Sequence, residues 1–163
     1  MSKKGLKDIL QLGNPLLYEV CDPVLELELP LVKIWVKDLS NAMSEIREKY
    51  NFGRGIAAPQ LGILKRLFYL DVDSPTIIIN PELINLSDDT FELWDDCMSF
   101  PNLLVKVKRY KRLTIRYRDE NWNTHEWTVE DDLSELIQHE YDHLNGILCT
   151  MRAIDDKSFK WRL

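Results

Sequence analysis

Two of the three histidines in this chain stand four residues apart, with a glutamate next to the first. His139, Glu140 and His143 spell H-E-x-x-H, and residues i and i+4 of a helix share one face, so both imidazoles can point at one ion. A dication held there with an open position lowers the pKa of a bound water toward about 7, and Glu140 can take that proton. The spacing predicts a catalytic metal site that attacks a carbonyl carbon.

The third ligand stays open on spacing alone. No glutamate follows Glu140, which disfavours the thermolysin-like peptidases, and Cys149 stands where metzincin-like peptidases carry a third histidine. A thiolate could ligate from Cys149, but the apolar segment GILCT around it is typical of a strand with a buried cysteine. Cys97 lies in the polar, turn-like segment WDDCMSFP, and these surroundings favour it.

The elements that must position these residues are two helices flanking a β-rich region. Apolar residues recur at three- and four-residue steps over Leu31–Tyr50, which predicts an amphipathic helix. A second helix is predicted from Asp131 or Asp132 to Asn145, with Asp132 and Glu135 in capping-box spacing and Gly146 as its stop. The last residues, IDDKSFKWRL, suggest a short terminal helix.

Between the helices, the sequence changes from a glycine-rich loop to short β-rich runs. NFGRGIAAPQLG predicts a shaped loop without regular structure. The predicted strands are RLFYLDV, TIIIN, LLVKVKRY, LTIRYRD and HEWTVE. Helix, then many strands, then helix predicts an α+β fold with a mainly antiparallel sheet.

Length and composition limit the class of protein. The 163 residues, 45% hydrophobic and 29% charged, predict one globular domain over residues 1–163. The net charge of −6 argues against nucleic acid as a partner. The N-terminal residues lack an apolar stretch for a signal or a membrane span, and the three scattered cysteines indicate a reducing compartment. We therefore expect a cytoplasmic protein without a membrane partner.

Three separated motifs resemble those of the peptide deformylases, in the same order along the chain. GRGIAAPQ (Gly53–Gln60), DDCMS (Asp95–Ser99) and QHEYDH (Gln138–His143) are similar to the family patterns G-x-G-[LI]-A-A-x-Q, E-G-C-L-S and H-E-x-D-H. The similarity continues over nearly the whole chain. It implies a deformylase-like fold, with an antiparallel sheet around a central metal-binding helix. It also implies removal of the N-terminal formyl group from formyl-methionyl nascent peptides.

The resemblance also implies a role for each matching residue. Cys97, His139 and His143 would hold the metal, Fe²⁺ in this family, although Zn²⁺ suits the same ligands. Glu140 would be the acid and base. The Gln60 side chain and the Met98 backbone N–H would stabilise the oxyanion. Arg54 with Gly55, and the carbonyl of Asp96, would line the two sides of a peptide cleft.

The chain departs from the family pattern in the cleft rather than at the ligands. Asp95-Asp96 replaces Glu-Gly, and Arg54 stands where the family usually carries an apolar residue. These changes favour a cleft more polar than one built for formyl-methionine. The alternatives are a hydrolase of another small N-acyl substrate and a non-catalytic metal- or peptide-binding module, but the presence of both Glu140 and Gln60 favours an enzyme. Family members can contact the ribosome through a terminal helix, and this chain's few late basic residues give that contact little support.

Overall fold

The computed structural model describes residues 3–163 and contains two α-helices and eight strands in that part of the chain. In chain order they are α1 (Leu29–Tyr50), β1 (Gly55–Ala57), β2 (Leu67–Asp71), β3 (Pro75–Ile84), β4 (Thr90–Asp95), β5 (Leu103–Tyr110), β6 (Arg112–Arg118), β7 (Thr124–Glu130), α2 (Asp131–Leu144) and β8 (Phe159–Trp161). Short 3-10 helices connect them at Leu6–Asp8, Pro15–Tyr18, Glu26–Glu28, Ala58–Leu61 and Cys149–Arg152.

The strands form two antiparallel sheets with α2 between them. The larger sheet has the order β1-β2-β3-β6-β7, and the smaller has the order β4-β5-β8. Helix α2 packs against β1, β2, β6 and β7 of the larger sheet and against β5 of the smaller one. The predicted α+β class and antiparallel arrangement are confirmed.

Helix α1 covers one side of the larger sheet with the apolar stripe that its sequence predicts. Its buried residues include Val32, Leu39, Ala42, Met43 and Ile46, at helical spacing. The helix ends where Asn51 takes a left-handed conformation, with φ at 58°, and its N–H donates to the Arg47 carbonyl. The chain then turns directly into β1.

Helix α2 is buried on nearly every side, although much of its surface is polar. Ten of its fourteen residues are buried, from Ser134 to Leu144. Backbone groups of β5 satisfy the polar side chains of its first turns, since Ser134 Oγ donates to the Tyr110 carbonyl at 2.7 Å and Gln138 pairs with both the N–H and the carbonyl of Tyr110. The helix is thereby fixed to the smaller sheet.

Several predictions of local structure were wrong because tertiary contacts decide them. The terminal segment forms strand β8 instead of a helix, since Leu103, Leu104 and Val105 of β5 supply its pairing partners. GILCT is not a strand, and Cys149 begins a 3-10 helix. The loop NFGRGIAAPQLG contains the edge strand β1.

The predicted capping box of α2 does not form. Helix α2 begins at Asp131 with Glu130 as N-cap, and no side chain caps it. Glu135 binds Arg54 instead. Among residues 3–163, no helix is both long enough and apolar enough to cross a lipid bilayer.

Candidate metal centre and active site

Three buried side chains bring their donor atoms to one point. Nε2 of His139 and Nε2 of His143 lie 3.2 Å apart, and Cys97 Sγ lies 3.5 Å from His143 Nε2. Ligands at roughly 2.05 Å (nitrogen) and 2.3 Å (sulfur) around a tetrahedral ion would be about 3.3 Å and 3.6 Å from one another. Both of these distances match one tetrahedral ion, and all three donor atoms lie within 4.8 Å of one another.

Two elements position these donors. His139 and His143 lie one turn apart on α2, as the H-E-x-x-H spacing predicts. Cys97 follows β4 in a tight turn, where the Phe100 N–H donates to the Cys97 carbonyl at 3.1 Å. The Leu12 N–H donates to the Ser99 carbonyl at 2.9 Å, so the N-terminal segment supports this turn from outside.

A buried carboxylate orients the first histidine. Asp95 Oδ2 lies 2.8 Å from His139 Nδ1, which places the Nδ1 proton in that hydrogen bond and leaves Nε2 free for an ion. Burial raises the pKa of Asp95, but the His139 ring and the Arg109 guanidinium together lower this pKa by more, so the net shift is downward. Asp95, whose side chain is one methylene shorter than the Glu of the family pattern, thus still pairs with His139 and Arg109.

Arg109 joins this carboxylate to a second one and was not predicted. Its Nη2 lies 3.4 Å from Asp95 Oδ2, and its Nη1 donates to Asp142 Oδ2 at 2.7 Å. Arg152 also binds Asp142, with Nη2 at 3.1 Å from Oδ1. The sequence does carry a signal, because Val105, Val107 and Arg109 alternate on the inward face of β5.

The second histidine is held neutral. Burial lowers the pKa of His143 well below its usual value, and the neighbouring His139 lowers it further. A neutral imidazole is the form that binds a metal. Its Nδ1 has no hydrogen-bond partner among the described residues.

Glu140 is buried beside the donor cluster with unused hydrogen-bonding capacity. Its Oε1 lies 3.9 Å from His139 Nε2, and its Oε2 has no partner in the described part of the chain. Burial raises the pKa of Glu140 to about 7, against the opposing charge of His139. A carboxyl group with such a pKa can accept and return a proton near neutral pH.

Gln60 directs an amide donor into the same cluster. Its Oε1 accepts the Ala57 N–H at 2.9 Å, which turns its Nε2 toward Ser99 Oγ at 3.1 Å and Cys97 Sγ at 3.6 Å. The Met98 backbone N–H, in the ligand turn, takes part in no backbone hydrogen bond within residues 3–163. The Gln60 amide and the Met98 N–H thus both lie beside Cys97.

An open cavity of about 210 Å³ leads to these groups. It is lined by Phe52, Gly53, Arg54, Gly55, Gln60, Asp95, Asp96, Cys97, Met98, Leu136, His139 and Glu140. The backbone of Gly55 packs closely against α2, because a Cβ there would lie 3.2 Å from Glu140 Cγ and from Leu136 Cδ1. Strand β1 is the edge of the larger sheet, so its outer side is available for pairing.

Comparison with known proteins identifies this arrangement. The family model of polypeptide deformylase matches residues 6–159. The chain belongs to the polypeptide deformylase family. This confirms the family and the enzyme class predicted from the three motifs, a metal-dependent hydrolase.

Individual deformylases agree in sequence and in fold. The peptide deformylase of Thermotoga petrophila is 36% identical over 137 residues, which cover 83% of this chain and 80% of that protein. The peptide deformylase of Synechococcus elongatus, solved in complex with actinonin, superposes with a TM-score of 0.84 at 29% identity, over 96% of this chain and 85% of that one. A Met-Ala-Ser-bound class I type b deformylase from Acinetobacter baumannii gives a TM-score of 0.77 at 28% identity, over 88% and 96% of the two chains.

The two departures from the deformylase pattern in the cleft are both charge-paired. Arg54 forms an ion pair with Glu135 of α2. Asp96 Oδ2 accepts Nη2 of Arg162 at 2.7 Å, and the Arg162 guanidinium lies 4.2 Å from the centre of the Phe52 ring. Neither Glu135 nor Arg162 was predicted as a site residue, because their partners lie far away in sequence.

Cys149 lies close to His139, as Cys97 does, but differs from Cys97 in its surroundings. With Asp95 and His139 it forms a second group of possible ligands. Asp95 is already bonded to Nδ1 of that histidine. Burial raises the pKa of the Cys149 thiol to about 12. These surroundings favour Cys97 over Cys149.

Proposed function

We propose that the protein removes the formyl group from the N-terminus of formyl-methionyl nascent peptides. The observation that carries this proposal is the convergence of the Cys97, His139 and His143 donor atoms beside the carboxylate of Glu140, whose Oε2 has no hydrogen-bond partner within residues 3–163. The Acinetobacter baumannii relative, which was solved with Met-Ala-Ser bound, supports a peptide of this kind. A metal-dependent deformylation would use both the converging donor atoms and the Glu140 carboxylate.

Cys97, His139 and His143 would hold one divalent ion. A thiolate and two neutral imidazoles leave a dication with a net charge of about +1 and suit both Fe²⁺ and Zn²⁺. We propose Fe²⁺ as the working ion and Zn²⁺ as the alternative. When bound, the ion would activate water and polarise the formyl carbonyl.

Glu140 would carry the proton between the two halves of the reaction. Its buried carboxylate takes a proton from the attacking water and gives it to the departing nitrogen. Burial, which raises the pKa of this carboxyl group, makes it a stronger base than an exposed glutamate.

Gln60 and Met98 would stabilise the oxyanion that forms at the formyl carbon. The Gln60 amide is held by the Ala57 N–H, so the orientation of its donor is set before the substrate arrives. The Met98 N–H lies next to Cys97 in the same turn. Preorganised donors of this kind contribute about 2.7–4 kcal/mol each to the transition state.

The substrate backbone would lie along β1. The backbone of Gly55 belongs to this free edge of the sheet, to which an extended peptide can be added as an extra strand. The carbonyl of Asp96 would face it from the other wall, and the Arg54 side chain would border the first substrate residue.

We further propose that the protein acts in the cytoplasm, on chains emerging from the ribosome. A contact with the ribosome through a terminal helix has no support within residues 3–163, because Phe159–Trp161 forms a strand and Arg162 binds Asp96.

Formate release tests this function. Protein purified without oxygen and loaded with Fe²⁺ should release formate from formyl-Met-Ala-Ser, and a Glu140→Ala variant with the same metal content should not. Metal analysis of both proteins shows whether the Glu140→Ala variant loses activity because it lacks the base or because it no longer binds the ion. Absence of turnover by wild-type protein that holds one metal per chain would refute the proposal.

A further inference from the structure

A second cavity, of about 440 Å³, lies on the side of α2 that faces away from the cavity beside Cys97 (the first cavity). The α2 residues that line the first cavity are Leu136, His139 and Glu140. Those that line the second cavity are Gln138, Tyr141 and Asp142. Both sets have i, i+3, i+4 spacing, and the offset between them rotates one set from the other by about 200° around the helix axis. The second cavity is therefore separate from the first, and among residues 3–163 none lines both.

Positive charge predominates in the lining of the second cavity. Among the described residues, its charged side chains are the cations Lys108, Arg109 and Arg152 and the carboxylate Asp142, which gives a net charge of +2. Asp95 pairs with Arg109 from the side of the first cavity, and the net charge is still +1 when Asp95 is counted. The second cavity therefore favours an anion over a cation.

Both oxygens of the carboxylate in the second cavity are already bonded to arginines. Asp142 Oδ2 accepts Nη1 of Arg109 at 2.7 Å and Nε of Arg152 at 3.2 Å. Asp142 Oδ1 accepts Nη2 of Arg152 at 3.1 Å. A cationic ligand would have to displace one of these arginines from Asp142, whereas an anionic ligand would not.

The two arginines keep N–H donors that Asp142 does not use. Asp142 holds Arg152 through Nε and Nη2, and the Nη1 group of Arg152, whose side chain is 47% exposed, has no hydrogen-bond partner in the described part of the chain. Nε of Arg109, whose side chain is 3% exposed, also lacks a partner within residues 3–163. A buried N–H without an acceptor costs free energy. An anion in the second cavity would therefore find the free donors of Arg152 already held in place by Asp142.

The second cavity also offers apolar surface. Leu83, Leu86 and Tyr141 line it, and Leu86 is 42% exposed. Its volume lies within the range of about 300–1,000 Å³ that is typical of small-molecule sites. A ligand that fills a cavity of this size and lining carries an apolar body as well as an anionic group.

We propose that the second cavity binds a small organic acid with one carboxylate on an apolar body. The Nη1 group of Arg152 would donate to the carboxylate, which matches the geometry of a guanidinium. Leu83, Leu86 and the ring of Tyr141 would contact the apolar body. A free acid and the C-terminal residue of a short peptide share this chemistry. The proposal is independent of the proposed function, because the second cavity lies outside the first.

Calorimetry with four probe compounds tests the chemistry of the ligand. Phenylacetate should bind the metal-loaded protein at one site per chain. Phenylacetamide keeps the shape without the charge and should bind at least about tenfold more weakly, because a hydrogen bond between two charged groups is lost. Acetate lacks the apolar body and should also bind more weakly than phenylacetate. N-acetyl-phenylalanine imitates a peptide C-terminus, and its affinity relative to phenylacetate shows which source of the carboxylate is preferred.

Substitutions in the lining test the location of the ligand. Arg152→Met should weaken the binding of phenylacetate by at least about tenfold. Leu86→Glu adds a like charge at an exposed residue of the lining and should also weaken it, whereas Leu86→Gln, which has the same shape without the charge, should have a smaller effect. Arg116→Met breaks an exposed pair with Glu126 on β6 and should leave the affinity for phenylacetate unchanged.

A variant of the first cavity distinguishes the proposed location from direct binding of the acid to a metal ion. Cys97→Ala removes the proposed sulfur ligand and should leave the affinity for phenylacetate unchanged. Loss of binding in Cys97→Ala without loss in Arg152→Met would place the acid at the metal donors and overturn the proposal. Equal affinities for phenylacetate and phenylacetamide, equal effects of Leu86→Glu and Leu86→Gln, or no binding of phenylacetate would overturn it as well.

Discussion

The donor cluster and the cleft wall use the same kinds of ion pair in opposite surroundings. The Asp95–Arg109 pair behind the Cys97, His139 and His143 donor atoms is buried, with side chains 5% and 3% exposed, whereas the Asp96–Arg162 pair on the cleft wall has side chains 37% and 28% exposed. Breaking a buried pair is destabilising by about 3–5 kcal/mol, and an exposed pair contributes about 0–1 kcal/mol. Substitutions in the buried pair should therefore be strongly destabilising, whereas the residues of the cleft wall can change with the substrate at little cost in stability.

The largest effect should come from Cys97, the proposed sulfur ligand. Cys97→Ala should abolish metal retention and activity, because two imidazoles alone hold a dication weakly. Cys149→Ala, the matched control, removes a nearby buried thiol and should keep both. Metal content after gel filtration measures the difference. Retention by Cys97→Ala together with loss by Cys149→Ala would reverse our assignment of the ligand.

Removal of the amide of Gln60, the proposed oxyanion donor, should have the next largest effect. Gln60→Met keeps the length of the side chain without its N–H donors, and kcat should fall by about 10²–10³-fold with bound metal unchanged. Gln11→Met, at an exposed position near the same turn, serves as control. An unaltered kcat in Gln60→Met would show that the oxyanion is stabilised elsewhere.

The carboxylate behind His139 should have a moderate effect. Asp95→Asn keeps the shape but removes the charge that orients the ring, and metal affinity should drop by about 10–100-fold. The structure contains a matched pair at the surface, where Asp119 Oδ2 lies 2.6 Å from His125 Nε2. Asp119→Asn should not change metal affinity. Equal affinities in both variants would mean that the buried pair has no special role.

The smallest effect should come from the exposed pair at the cleft. Asp96→Gly and Arg162→Met should each change KM for formyl-Met-Ala-Ser by less than about tenfold and leave kcat unchanged, because an exposed pair contributes little. A double-mutant cycle measures their coupling. A change in kcat of a hundredfold or more would contradict the distinction between the exposed pair on the cleft wall and the buried pair behind the donor atoms.

The residues that could be predicted from sequence are those whose neighbours are close in the chain. The i, i+4 spacing of His139 and His143 defines their common face, and the apolar stripe of α1 defines its buried side. The three motifs also predicted the family correctly. Cys97 was preferred to Cys149 from its local surroundings and from the family motif around it, whereas its meeting with α2 depends on the packing of the smaller sheet against that helix.

The predictions that failed concern residues whose partners are distant. Phe159–Trp161 has no strong local preference, and pairing with β5 makes it a strand. Glu135 had the spacing of a capping residue, but Arg54, more than 80 residues earlier in the chain, offers it a charge-assisted bond in a buried place. Such competition between local and tertiary hydrogen bonds cannot be seen in one sequence.

The separation of the donors along the chain also governs the order of events during folding. Cys97 lies 46 residues before His143, and the strand that carries the chain toward Cys97 belongs to a sheet that β8 completes. Contacts between such distant segments form slowly. The Cys97 thiol therefore stays reduced and unligated until α2 has packed against the smaller sheet. We expect oxidants to be most harmful to this protein during that interval, before the three donors have met.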